Sequence, residues 1–222
     1  MAIFPSTAIP SAAADFTIPY SCRFDSASSS RLSKTFAGAG NRDIWTFSAW
    51  VKRGDIDTGE VYLFSAGDGS TNDGINFNAA EQLYVFSYSG SYRYRYYTNA
   101  VYRDPSAWYH IVVAHDSTQG VAANRVRTYV NGSEITSWVV ETDASQNDDT
   151  HAINNNVTHY IGSFTSNYFD GYMAEVHFID GTQLTPSSFG ESGDYGEWKA
   201  KKVAGVTYGT NGFYLDFADS AA

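Results

Sequence analysis

The chain has 222 residues, of which 16% are aromatic and 17% charged, with a formal net charge of −10. This is a globular composition, long enough to bury a core without help from a metal or disulfide. Cys22 is the only cysteine, which excludes an intrachain disulfide and a thiolate-built zinc cluster; the acidic balance opposes sequence-independent nucleic-acid binding, and no apolar run reaches the length of a membrane span, so no membrane insertion is expected.

Residues 1–19, "MAIFPSTAIPSAAADFTIP", are rich in Ala, Ser and Pro and show neither the helix nor the strand period. They read as an extended arm for docking or linkage. Without a basic leading region, and with Pro5 and Pro10 breaking the apolar part, they do not read as a signal peptide. From Tyr20 onward, short alternating runs are separated by Gly, Asn, Asp and Ser clusters, the pattern of an antiparallel sandwich. In "IWTFSAWVK", Trp45, Phe47, Ala49 and Val51 share one face while Thr46, Ser48, Trp50 and Lys52 share the other, as in a half-buried strand. "VYLFSA", "QLYVFSY", "WYHIVVAH" and "RVRTYV" repeat the theme, and Asn131-Gly132 predicts a type I′ hairpin turn. Thr185-Pro186 predicts one helical turn over Ser187 to Phe189. "GESGDYGEWKAKK" reads as loop, and "GFYLDF" as a last strand with Phe213, Leu215 and Phe217 on one face. The expected fold is all-β, a two-sheet antiparallel jelly-roll β-sandwich. Its expected parts are the arm (1–19), the jelly-roll domain (20–190), and a loop with the final strand (191–222) leading toward a longer chain.

In order, "SCRFDSASSSRLSKTF", "WTFSAWVK", "WYHIVVAHDST", "RTYVNGSEI" and "YIGSFTSNYFDGYMAEVHFIDGTQLTP" carry W-x-H, then Y-V-N-G, then F-D-G before an alternating strand. This ordered set, from about Tyr20 to Pro186, resembles the laminin-G-like, concanavalin A-like lectin-glucanase family. With the tail "GTNGFYLDFADS", the wording is similar to structural proteins of tailed bacteriophages, in which the module sits on a fibre, spike or head decoration. The resemblance implies a non-catalytic virion protein, a homo-oligomeric surface appendage or decoration that binds host-surface glycans. It would be held to other virion proteins by its arm, assembled in the host cytoplasm and released by lysis. Two further readings remain: a purely structural capsid or tail brace that binds no sugar, and a glycan hydrolase.

In "SYSGSYRYRYYTNAVY", simple alternation places Tyr92, Tyr94 and Tyr96 on one face and Arg93, Arg95 and Tyr97 on the other. Aromatic rings at a surface stack on sugar C–H faces while Arg supplies hydroxyl contacts, so Tyr92, Tyr94, Arg95, Tyr96 and Tyr97 form a candidate glycan platform. Cross-strand aromatic pairing, or contact with a neighbouring subunit, is the competing reading.

Two oxygen-rich loops are candidates for calcium, the one cofactor considered: "SAGDGSTNDG" with Asp68, Asn72 and Asp73, and "ETDASQNDDTHAINNN" with Asp143, Asn147, Asp148 and Asp149. Neither follows an EF-hand, and such loops also serve as ordinary solvated connections. In "NYFDGYMAEVHFIDGTQLTP", acids at alternate positions would suggest a glycanase strand, but Glu175 is followed at that spacing by His177 and Ile179. Asp170-Gly171 and Asp180-Gly181 therefore read as turns around a central strand whose Tyr172, Ala174, Val176 and Phe178 share a packed face, with Glu175 satisfied by backbone or a rim arginine. His110, in W-x-H, reads as a packed hydrogen-bonded residue, and no nucleophile-elbow signature supports a Ser-His-Asp site.

Overall fold

The computed structural model describes residues 16–56 and 59–218. In chain order the strands are β1 (Cys22–Phe24), β2 (Leu32–Thr35), β3 (Ile44–Arg53), β4 (Val61–Gly67), β5 (Thr71–Phe77), β6 (Gln82–Ser89), β7 (Ser91–Val101), β8 (Tyr109–Asp116), β9 (Val126–Val130), β10 (Ser133–Glu134), β11 (Trp138–Thr142), β12 (Thr158–Ile161), β13 (Ser163–Phe164), β14 (Asn167–Tyr168), β15 (Gly171–Asp180), β16 (Gly190–Ser192), β17 (Trp198–Ala200) and β18 (Phe213–Leu215). Two seven-stranded antiparallel sheets form the expected jelly-roll sandwich. One runs β1-β15-β3-β8-β9-β10, with β18 also on β15, and the other runs β11-β7-β6-β5-β4-β12-β2. Two small hairpins, β13–β14 and β16–β17, stand outside them. Among the described residues no helix is long and apolar enough to cross a membrane.

The core lies between the sheets, where inward side chains such as Trp45, Phe47, Val51, Leu63, Phe64, Ile75, Leu83, Ile111 and Phe178 are fully buried. Asn131 and Gly132 take φ of 49° and 78°, so the expected hairpin turn joins β9 to β10 with Val130 opposite Ser133. Pro186–Ser188 forms the expected short helical turn, of 3-10 type. Of the arm, residues 16–19 are described: Phe16 and Ile18 pack on Trp50, Ala174 and Ala200 of the same chain. The remainder of the arm falls outside the described residues.

Two departures from simple alternation shape the surface. The face of β3 expected to meet solvent is covered, with Thr46 and Ser48 fully buried. Downstream chain crosses it and packs Leu184, Phe189, Val203, Val206 and Tyr208 against Val112, Tyr129 and Ile179. Within β15 the pairing with β3 breaks between Ala174 and His177, and Glu175 adopts φ 46°. This bulge reverses the parity, so Met173, Val176 and Phe178 enter the core while Ala174 faces outward and Tyr172 is exposed. The single packed face expected for Tyr172, Ala174, Val176 and Phe178 is thus corrected.

Candidate functional site

The tyrosine-rich strand β7 carries a second bulge. Opposite β6, Ser87 pairs with Tyr94 but Tyr88 pairs with Tyr92, leaving Arg93 as an extra residue. Tyr94 and Tyr96 consequently point into the core, 1% and 2% exposed, where the Tyr96 hydroxyl donates to Asp143 Oδ1 at 2.9 Å. They are not part of any platform. Tyr92, 39% exposed, instead joins Arg95 and Tyr97 on the outer face. Three of the five candidate residues are brought together, and two are excluded by the extra residue between them.

The outer face proves wider than β7. β6 contributes Tyr84, Phe86 and Tyr88, which stand beside Tyr97, Arg95 and Tyr92 in register. Tyr84 stacks on Phe86 at 4.5 Å and meets Tyr97 edge-on at 4.3 Å, while Tyr88 lies 4.9 Å from Tyr92. Beyond them, Phe86 approaches Tyr62 at 6.4 Å, Tyr62 lies 5.4 Å from Phe164, and Phe164 lies 6.5 Å from Tyr160. The belt therefore crosses the sheet from β7 to the β13–β14 hairpin. Its closure depends on Gly74 of β5, where a Cβ would sit 2.6 Å from the Phe86 ring and 2.8 Å from Tyr62. Arginines mark both ends. The Arg95 guanidinium lies 4.5 Å from the Tyr92 ring centre, and Arg31 lies 5.4 Å from that of Tyr160.

Burial raises the pKa of the Tyr62 and Tyr84 hydroxyls, helped by Glu60 at Tyr62 and by hydrogen bonding with Tyr92 and Tyr97 at Tyr84. Both hydroxyls therefore stay protonated, and the Tyr84 hydroxyl donates to Tyr92 Oη at 3.3 Å. Asn76, opposite Tyr84 and Tyr62 in register, is fully buried and its Oδ1 has no hydrogen-bond partner. Tyr62, Tyr84, Phe86 and Phe164 are nearly buried and form the bed of the belt, while Tyr88, Tyr92 and Tyr97 present ring edges and faces to solvent beside the planar cationic Arg95.

The acids have other tasks. Asp170 accepts from Arg23 at 2.9 Å and from the Ser26 amide at 3.3 Å. Asp180 accepts from the Asn41 and Asn211 amides and the Asn154 side chain, tying the turn to three distant loops. Glu175 meets neither backbone nor arginine as expected; its two oxygens accept from the Tyr214 hydroxyl at 2.8 Å, and His177 Nε2 stands 3.7 Å away. Tyr214 stacks on His177 at 4.3 Å, and the His177 Nδ1 bonds the Tyr208 hydroxyl at 2.8 Å, so this acid and imidazole lie under tyrosine rings.

Ser48 Oγ lies 2.9 Å from His110 Nε2, a pairing that sequence spacing did not reveal. The indole N–H of Trp198 donates to His110 Nδ1 at 2.9 Å. Because an indole can only donate, the imidazole proton sits on Nε2 and points at Ser48. That tautomer cannot accept the serine proton, and burial, with nearby His177, pushes the His110 pKa down to about 3.

The calcium candidates do not converge. Asp68 caps its own turn through the amides of Ser70 and Thr71. Asn72 and Asp73 are consecutive in β5 and face opposite sides; Asp73 is fully buried and accepts from the Ala152 and Ile153 amides at 2.6 Å. Asp148 and Asp149 pair with Arg93, and Asp149 also with Arg42. Among the described residues no three His, Cys, Asp or Glu side chains gather as a metal site.

Against known proteins, a laminin G-type family model described as the concanavalin A-like lectin/glucanases superfamily matches residues 26–188. No curated protein sequence matches the chain. Among solved structures, domain 4 of an extracellular arabinanase from Geobacillus stearothermophilus, in complex with arabinotriose, is similar at 20% identity and a TM-score of 0.50, with 65% of this chain and 64% of that one covered. A heptameric SAP-like pentraxin from Limulus polyphemus is similar at 15% identity and a TM-score of 0.47, covering 70% of this chain and 71% of that one. At 20% identity the likeness to the arabinanase domain shows the fold alone.

Proposed function

Since the chain belongs to the concanavalin A-like lectin/glucanases superfamily, we propose that it is a non-catalytic glycan-binding protein whose binding surface is the aromatic belt at Tyr88, Tyr92, Arg95 and Tyr97. The observation that carries this reading is the bulge at Arg93, which turns Tyr92 outward beside Arg95 and Tyr97. Ring faces at a surface match the C–H faces of sugars, and flanking guanidinium and hydroxyl groups match their oxygens. The arabinanase domain is described in complex with arabinotriose, which makes short oligosaccharides sensible first probes. A non-catalytic role is supported by Glu175 lying with His177 under Tyr214 and Tyr208, and by the tautomer of His110.

The ordered motifs and the "GTNGFYLDFADS" tail, similar to tailed-phage structural proteins, support placing the protein on a virion as an appendage or decoration, presented in several copies. Linked copies would strengthen weak sugar contacts through effective concentration. In the second reading the protein is a brace that binds no sugar. Its support is the outer edge of β2, which no strand among the described residues covers and whose four residues are all exposed, ready for strand addition by a neighbour.

The test is retention of the full chain on an array of bacterial surface polysaccharides and short oligosaccharides, arabinotriose included. Tyr92→Ala combined with Tyr97→Ala is expected to weaken retention by about tenfold or more, the loss of one or more stacking contacts. Unchanged retention would sink the belt as the binding surface, and absence of binding by the unmodified chain would favour the brace.

A further inference from the structure

The opposite side of the sandwich holds a cavity that the belt does not explain. On the outer face of β3, β8 and β15, downstream chain covers the far end while residues 16–21 cross the near end. Between them remains an open cavity of about 400 Å³, walled by Trp50, Trp108 and Trp198, with Lys199 at its side and the small Ala174 and Ala200 among its lining. Its volume lies in the range of about 300–1,000 Å³ usual for small-molecule sites.

The walls are held in place. His110 lies between Trp50, at 4.9 Å and 25° between planes, and Trp198, at 5.9 Å and 20°, and accepts the Trp198 N–H. Trp198 in turn packs over Gly132 and Gly190, where an added Cβ would come within 2.4 and 2.6 Å of the indole. Trp108 and Tyr20, by contrast, are 36% and 50% exposed at the rim. Fixed inner rings and exposed outer rings bound one hollow.

Its chemistry narrows the ligand. Three indoles could cage an organic cation, but the described lining includes no carboxylate, and Glu191 beside it is already engaged by Lys199 at 4.0 Å, so a cation finds no counter-charge of its own. A purely apolar ligand would strip water from the Lys199 ammonium, which Glu191 meets at 4.0 Å, and from the Thr17 and Ser21 hydroxyls at the rim, and would offer no hydrogen bond in its place. A sugar ring satisfies both parts, with its C–H face on indole and its hydroxyls toward the ammonium and rim oxygens.

We propose that the Trp50–Trp108–Trp198 cavity is a second saccharide site, taking a terminal one- or two-ring unit of a glycan, independent of the tyrosine belt and on the opposite outer face. Because the two sites open on different sheets, one molecule can hold two glycan chains.

The experiment uses the same glycan array, together with indole fluorescence on titration of each retained oligosaccharide. The variants are Trp108→Ala, Ala200→Leu, which fills the hollow while keeping every ring, and the Tyr92→Ala/Tyr97→Ala pair. Trp108→Ala and Ala200→Leu are each expected to weaken a subset of the glycans by about tenfold and to abolish the saturable indole change, with the tyrosine pair leaving that change intact. Selective loss in the tryptophan-side variants with no effect of the tyrosine pair would uphold this site and refute the belt. Wild-type binding and fluorescence in both Trp108→Ala and Ala200→Leu would overturn the second site, whatever the tyrosine pair does. No glycan retained by any form would overturn both.

Discussion

The two outer faces of the sandwich use the same device to different ends. On β7 the bulge at Arg93 sends Tyr92, Arg95 and Tyr97 to a face that meets solvent. On β15 the bulge at Glu175 sends Ala174 and His177 to a face that downstream chain then covers over much of its area. One extra residue thus decides which side chains leave the core, but the covering chain decides whether they recognise ligand or stabilise the fold. On this view the covered part of that face should answer to mutation in stability, and the open belt, like the uncovered tryptophan hollow, in binding.

The largest expected effect lies on the covered face. Phe189 is 2% exposed and lies against both His177 and His110, so Phe189→Ala should destabilise the protein by about 3–5 kcal/mol in urea unfolding. Tyr92→Ala, at an exposed position, should cost about 0.5 kcal/mol or less by the same measurement. Comparable losses at the two positions would erase the distinction between the faces.

Acid sharpens the contrast next. Burial lowers the pKa of His110 to about 3 and of His115 and His159 to about 4, so the unfolded chain binds more protons at these positions below its ordinary histidine range. Their contribution to stability is present above about pH 6.5 and is lost as the pH falls through that range toward 4. Asp73 runs the other way: burial raises its pKa to about 6, so the folded chain binds the extra proton and this contribution shrinks as the pH rises from about 4 to 6. Three histidines against one carboxylate should leave stability rising with pH between about 4 and 6, by a net of about two protons. Asp73→Asn should steepen the slope by about one proton, roughly 1.4 kcal/mol per pH unit. Unfolding curves across that range check both. A flat profile would mean that the buried imidazoles titrate as they do in the unfolded chain.

The sequence made the alternation visible but not its interruptions. Trp45, Phe47, Ala49 and Val51 point into the core as their spacing requires, and the Asn131-Gly132 turn is where the dipeptide placed it. Tyr84, Phe86 and Tyr88, at every second position of "QLYVFSY", spell an aromatic face that continues the outer face of β7. A bulge is different, because it is a mismatch between two strands and neither Arg93 nor Glu175 announces it locally. That is why simple alternation groups Tyr94 and Tyr96 with Tyr92. Trp198 is illegible for another reason: its strand has three residues, too few for a period, and its position is set by packing over Gly132 and Gly190 from other parts of the chain.

Gly74 offers a smaller perturbation that acts on the open face itself. The Phe86 and Tyr62 rings close over it, and both are nearly buried, so neither can retreat freely from a new Cβ. Gly74→Ala should cost about 1–2 kcal/mol through overpacking and also weaken glycan retention by displacing the belt. A stable variant with unchanged binding would show that the belt does not act as one surface.

Arg31 tests how far the belt extends. Its guanidinium lies 5.4 Å from the Tyr160 ring centre and 6.0 Å from that of Tyr168, at the end of the sheet remote from Arg95. The side chain is exposed, so Arg31→Ala should change stability by no more than about 0.5–1 kcal/mol. If only the β6–β7 end contacts sugar, glycan affinity should stay within about twofold, while Arg95→Ala loses several-fold. If longer glycans lose affinity in Arg31→Ala and short ones do not, the whole belt from β7 to β12 is the binding surface, and glycan length becomes a ruler for its extent.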